Sequence, residues 1–82
     1  MLKLLYFFNL VELLGCSQEE MELPEGAVNV AGLLARLGQR GENYRTALGD
    51  GSAVQITINK QFVALTSAIK DGDEIAFFPK SR

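Results

Sequence analysis

Few side chains in this sequence can do covalent or acid–base chemistry. Cys16 is the one thiol, and there is no histidine. A lone cysteine excludes an internal disulfide and a Cys/His zinc cluster. Without histidine, no imidazole is present to act as a general base. Cys16 has no basic neighbour in sequence to favour its thiolate, so it reads as an unreactive loop or core thiol. Asp71, Asp73 and Glu74 bring three carboxylates together. Their spacing is not that of a calcium loop, and an acid-rich turn at Asp71-Gly72-Asp73 is the simpler reading. Lys80 and Arg82 place two cations near the end of the sequence, as a solvated tail able to assist docking by charge. With no nucleophile–base pair and no ligand cluster, we set an independent enzyme aside and assign no catalytic residue, cofactor or metal.

The elements that must position any site fit within one domain, residues 1–82, with 79–82 as a tail, because 82 residues leave no room for a second core. A hydrophobic fraction of 48% with a net charge of −2 is that of a folded chain. No basic stripe is present to replace the counterions of a phosphate backbone, so no nucleic-acid partner is expected. The first sixteen residues, MLKLLYFFNLVELLGC, have the outline of a lipoprotein signal. Asn9 and Glu12 interrupt it, only Lys3 precedes it as a cation, and the fold needs the segment as a strand. It is also too short to span a membrane. No membrane partner is expected, and the cytoplasm is the expected location.

Residues 2–8 form an aromatic and aliphatic strand, and residues 9–15 a turn or short helical piece ending at Gly15. Gln18 to Leu23 alternates, with Met21 and Leu23 on one face and Glu20 and Glu22 on the other, which predicts a second strand ended by Pro24-Glu25-Gly26. Asn29 is placed to cap a helix whose stripe is Val30, Leu33, Leu34 and Leu37. Gly41 reads as its left-handed stop. Tyr44, Ala47 and Leu48 could make one more helical turn. Ala53 to Ile58 sets Val54, Ile56 and Ile58 against Gln55 and Thr57, the clearest strand of all. Asn59-Lys60-Gln61 is a tight turn, Phe62-Val63-Ala64 a short return strand, and Glu74 to Phe78 a last strand stopped by Pro79. The order β-β-α-β-β-β predicts an α+β fold, a mixed sheet with one main helix packed on one face.

Strand parity marks a surface. Lys3, Leu5 and Phe7 share one face of the first strand, and Glu74, Ala76 and Phe78 one face of the last. The charged members make those faces wet. Phe7 and Phe78 are therefore expected outside the core. An exposed aromatic group is the signature of a partner site.

Three segments resemble the small, sulfur-carrier subunit of molybdopterin synthase. They are LKLLYFFNLVELLG at the start, Asn29-Val30-Ala31-Gly32-Leu33-Leu34 at the helix, and Asp71-Gly72-Asp73-Glu74-Ile75-Ala76-Phe77-Phe78-Pro79 at the end. Val54 to Val63 fits the same family's strand, Asn-containing turn and strand. The Ala-Phe-Phe-Pro ending favours this branch over its cousin, the thiamin-pathway sulfur carrier. The resemblance implies a ubiquitin-like β-grasp in which the first and last strands are neighbours, with Phe62 close by. It implies a chain adenylated at its C-terminal carboxylate by a ubiquitin-activating-like enzyme and converted to a thiocarboxylate. The tail then passes sulfur to a pterin precursor inside the large subunit. The family docks that subunit through residues at the places of Phe7, Phe62 and Phe78, and Pro79 and Lys80 follow directly as further partner-binding candidates.

Two departures from the family pattern stand out. The family ends in Gly-Gly, which threads a narrow channel because it carries no side chains. Here Lys80-Ser81-Arg82 follows Pro79, with no glycine. Val11 stands where the family often has arginine. A sulfur carrier with an altered or shortened tail is the leading reading. A β-grasp interaction module that binds through the same face and is never adenylated is the alternative.

Overall fold

The computed structural model describes residues 1–49 and 51–80. Its organising pair is the first strand, β1 (Leu2–Tyr6), lying parallel beside the last, β5 (Glu74–Pro79). The register sets Lys3 against Glu74, Leu4 against Ile75, Leu5 against Ala76 and Tyr6 against Phe77. On the other side of β1 runs β2 (Gln18–Met21), antiparallel. On the other side of β5 runs β3 (Val54–Ile58), also antiparallel, and then the two-residue β4 (Gln61–Phe62). The sheet order is β2-β1-β5-β3-β4, a mixed sheet with helices on one face: the expected α+β fold.

Three helices cover the inner face. α1 (Asn9–Leu14) ends at Gly15, whose φ of 79° gives the left-handed turn that glycine adopts without steric cost. α2 (Val30–Gly38) buries the stripe seen in the sequence: Val30, Leu33, Leu34 and Leu37. α3 (Glu42–Leu48) adds Ala47 and Leu48. These meet Leu2, Leu4, Tyr6, Val54, Ile56, Ile58, Ile75 and Phe77 from the strands in one core. Among the described residues, no helix is long and apolar enough to cross a membrane.

The start of α2 shows how the long loop before β5 is held. Asn29 accepts a hydrogen bond from the Gly32 amide through Oδ1 at 2.9 Å, as the cap predicted. The two amides before it have no partner within the helix, and the loop supplies one for each. Val30 donates to the Ser67 carbonyl at 3.1 Å and Ala31 to the Leu65 carbonyl at 2.9 Å.

Several boundaries differ from the sequence reading. α1 and α3 are complete short helices, so the order is β-α-β-α-α-β-β-β. β2 ends at Met21, leaving Leu23 outside it, and β4 is Gln61–Phe62. Gly41 is not a left-handed stop: its φ of 164° is extended, and it precedes α3 as that helix's cap. The end of α2 is served by Arg45, whose Nη1 donates to the Gly38 carbonyl at 2.8 Å. Pro79 does not stop the last strand either. It pairs with Val54, and the Lys80 amide beyond it donates to the Ala53 carbonyl at 3.0 Å. The loss of one N–H at proline is tolerated because the next residue resumes the ladder.

Candidate functional site: the outer face of the sheet

Among the described residues, no helix covers the other face. Because β1 and β5 are parallel, both run out at the same end, where Phe7 follows β1 and Phe78 is the last residue but one of β5. Phe7 and Phe78 stack with ring centroids 4.5 Å apart and planes 6° from parallel. Phe78 lies opposite Gln55 on β3. One step along the strands, a second row crosses the whole sheet: Phe62, Thr57, Ala76, Leu5 and Gln18 are successive partners. Thr57 and Ala76 are small and buried, so a shallow floor separates Phe62 from the Phe7–Phe78 stack. Phe62 is 72% exposed. A third row, with Glu74, Lys3 and Glu20 as partners, closes the face with charge.

The three phenylalanines singled out in the sequence all lie on this surface. Phe7 is exposed, Phe78 half-buried and Phe62 exposed, and none belongs to the core. Lys80 is exposed and lines one groove with Phe62, Gln55 and Val63. Pro79 is half-buried at the end of β5. Ser81 and Arg82 lie outside the described residues. The face is apolar at its centre, rimmed by charge, and beside the point where β5 runs into the tail. That arrangement suits protein docking rather than small-molecule chemistry.

The acid-rich turn is structural. Asp73 is buried and accepts hydrogen bonds from Asn59 Nδ2 at 3.0 Å and from the Lys70 amide at 2.9 Å. Asn59 and Lys60 take positive φ values of 51° and 72°, and Asn59 Oδ1 receives the Glu74 amide at 3.0 Å. The turn between β3 and β4 is thus locked onto the start of β5. Among the described residues, no cluster of ligands suits a metal ion. Burial, followed by the nearby Glu19 carboxylate, pushes the Cys16 thiol up, which disfavours a thiolate. Val11, at the place of the family's arginine, packs against the core.

Sequence reasoning missed one cluster. Glu19, on the inner side of β2, accepts from the Tyr6 hydroxyl at 2.7 Å and the Tyr44 hydroxyl at 2.8 Å, both at Oε2. Arg40 meets its Oε1 at 3.0 Å and lies over the Tyr44 ring. Burial alone would raise the carboxyl's pKa. The two phenols and the guanidinium outweigh it and hold the group below its ordinary value. Burial, and then the same carboxylate, push Tyr44 up to about 12 and Tyr6 well above the ordinary phenol range. The only signal in the sequence was parity, which puts Glu19 on the same side of β2 as Met21.

A model described as the ThiS family matches residues 4–80. The chain is 35% identical over 79 residues to the molybdopterin synthase sulfur carrier subunit of Haemophilus influenzae, covering 96% of this chain and 94% of that one. It is 30% identical, with the same coverage, to the subunit of that name from Escherichia coli. Among solved structures, it is similar to a protein described as molybdopterin converting factor, subunit 1, from Pyrococcus furiosus. That likeness has a TM-score of 0.78 and 32% identity, with 98% of this chain and 97% of that one covered. The match over almost the whole chain and the ubiquitin-like β-grasp fold agree, and this chain belongs to the ThiS family.

Proposed function

We propose that this chain is the sulfur-carrier small subunit of molybdopterin synthase, acting in molybdenum cofactor biosynthesis. The observation that carries the reading is the Phe7–Phe78 stack, which with Phe62 forms an uncovered apolar face at the root of the tail. A large subunit that covers this face receives the end of β5 pointed in a fixed direction. The carrier's own contribution is then positional: the sheet holds the root of the tail where its terminal group can enter a partner's active site. The relatives named above are sulfur carrier subunits, which supports the same reading.

In this scheme the C-terminal carboxylate attacks the α-phosphorus of ATP on a ubiquitin-activating-like enzyme, and pyrophosphate leaves. Sulfur at the sulfide level (a hydrosulfide equivalent) then attacks the acyl carbon, and the bond to AMP breaks to leave a thiocarboxylate. The chain supplies no catalytic side chain and needs no cofactor of its own. We place the reaction in the cytoplasm, where the activating enzyme and the large subunit would both be met.

Two measurements test this. Phe78→Asp, on a half-buried position outside the core, is expected to abolish the complex with the large subunit encoded by the same genome while the fold persists. A complex that survives the change sinks the docking face. The second is the intact mass of the protein taken from its source cells. A chain continuing past Arg82 to Gly-Gly, with a fraction carrying one sulfur in place of one oxygen, is the expected result. A mass ending at Arg82 with no such fraction rejects the carrier reaction and leaves a β-grasp interaction module.

A further inference from the structure

Glu19 is the carboxylate with the most partners among the described residues that no step above uses. Its three donors come from three separate segments: Tyr6 on β1, Arg40 after α2, and Tyr44 on α3. A buried tyrosine needs only one acceptor, and a neutral side chain could supply it. Here an ion is spent on tying the tip of β1 to the helical layer.

What lies at that tip gives the arrangement its direction. Tyr6 is 2% exposed and stacks on Phe77, with centroids 5.6 Å apart and planes 21° from parallel. Tyr6 and Phe77 are register partners. The next residue on each strand is Phe7 and Phe78, stacked on the opposite face. The Phe7 amide donates to the Phe77 carbonyl at 3.2 Å and joins the two layers. The Tyr6–Phe77 stack and the Phe7–Phe78 stack therefore share one stretch of paired backbone, through which a displacement of the inner stack can reach the outer one.

We propose that Glu19 is a positioning residue for the outer aromatic pair: by pinning the Tyr6 hydroxyl it fixes the Tyr6–Phe77 stack, and through it the geometry with which Phe7 and Phe78 meet the large subunit. This rests on the docking reading given above. A merely structural role predicts something different. If Glu19 only fastens helices to the edge strand, losing Tyr44 should matter as much to Phe7 and Phe78 as losing Tyr6.

The test uses the full chain with 4-fluorophenylalanine at its five phenylalanines. Fluorine spectra are compared for Glu19→Gln, Tyr6→Phe and Tyr44→Phe; each tyrosine variant adds a sixth fluorinated ring, at position 6 or 44, whose extra resonance is absent from the natural chain and is left out of the comparison. The Phe7, Phe77 and Phe78 resonances are expected to move in the first two and to hold in the third, with Phe62 unmoved throughout. Affinity for the large subunit of the same genome should fall about tenfold in Glu19→Gln, as for residues that act on a site through packed neighbours. Phe7 and Phe78 resonances that stay still, or that move equally in Tyr44→Phe, overturn the proposal. So does a shift of those resonances with unchanged affinity, when Phe78→Asp abolishes binding. Should Glu19→Gln fail to fold, Tyr6→Phe carries the test, because it leaves the bonds of Glu19 to Tyr44 and Arg40 in place. The fluorine comparison needs no partner. A failed docking face shows up separately, as a Phe78→Asp variant that still binds.

Discussion

The Phe7 amide hydrogen bonds to the Phe77 carbonyl at 3.2 Å, and this bond joins two aromatic layers on opposite faces of one strand pair. Inside, Phe77 is fully buried against Tyr6; outside, Phe78 is half-buried against Phe7. Two adjacent residues of one type thus sit in different surroundings, one in the core and one on the face proposed for docking.

That division has a measurable consequence. Phe77→Ala removes a ring from the core and should cost about 3–5 kcal/mol, as large-to-small core changes do. Phe78→Ala opens no internal cavity, and its loss should be well under half of that. Urea denaturation of both variants provides the comparison. Equal losses would mean that the outer stack is as much a part of the folding core as the inner one.

The Glu19 cluster sets a pH dependence of definite sign. Its carboxyl is held below its ordinary value: burial pushes the other way, but the Tyr6 and Tyr44 hydroxyls and Arg40 together prevail. An acid depressed in the folded state adds stability above its unfolded pKa of about 4.3. It loses that contribution as pH falls through the lower, folded value. The urea midpoint of the natural chain should therefore exceed that of Glu19→Gln near neutrality, and the gap should close on acidification to about pH 3. Asp71 is lowered too, by its hydrogen bond and charge contact with the N-terminal amine, so both proteins share a second acid-sensitive element. A gap that stays constant with pH would show that the carboxylate's charge contributes nothing.

The fold was legible where one physical cause dominates. The α2 stripe and the alternation of β3 each record one buried face, and parity placed Phe7 and Phe78 outside because Lys3 and Glu74 share their faces. The two short helices were only half visible, since six or seven residues hold too few turns for a stripe to declare itself. Gly41 misled because glycine permits both left-handed and extended backbone, and only the packing of α3 decides between them. Glu19 was illegible for another reason. Its partners are Tyr6, Arg40 and Tyr44, brought to it by the β1–β2 register and by the docking of α3. No local pattern records such a meeting.

Phe8 offers a last check on how this corner of the molecule is built. Its φ of 57° and ψ of −134° lie where side chains other than glycine rarely go. Such strain costs on the order of 1–3 kcal/mol and persists only when the surroundings impose it. Here they do: Phe7 must leave β1 on the outer face, and α1 must begin at once, with the Val11 amide donating to the Phe8 carbonyl at 3.2 Å. The Phe8 ring is 75% exposed, so removing it forfeits little burial. Glycine would relieve the strain, against an unfolded-state entropy cost of about 0.4–1 kcal/mol. Phe8→Gly should therefore unfold at a urea concentration equal to or above that of the natural chain, whereas Phe8→Ala keeps the strained backbone and should fall below it. If the glycine variant proves the less stable of the two, the backbone at Phe8 is not strained.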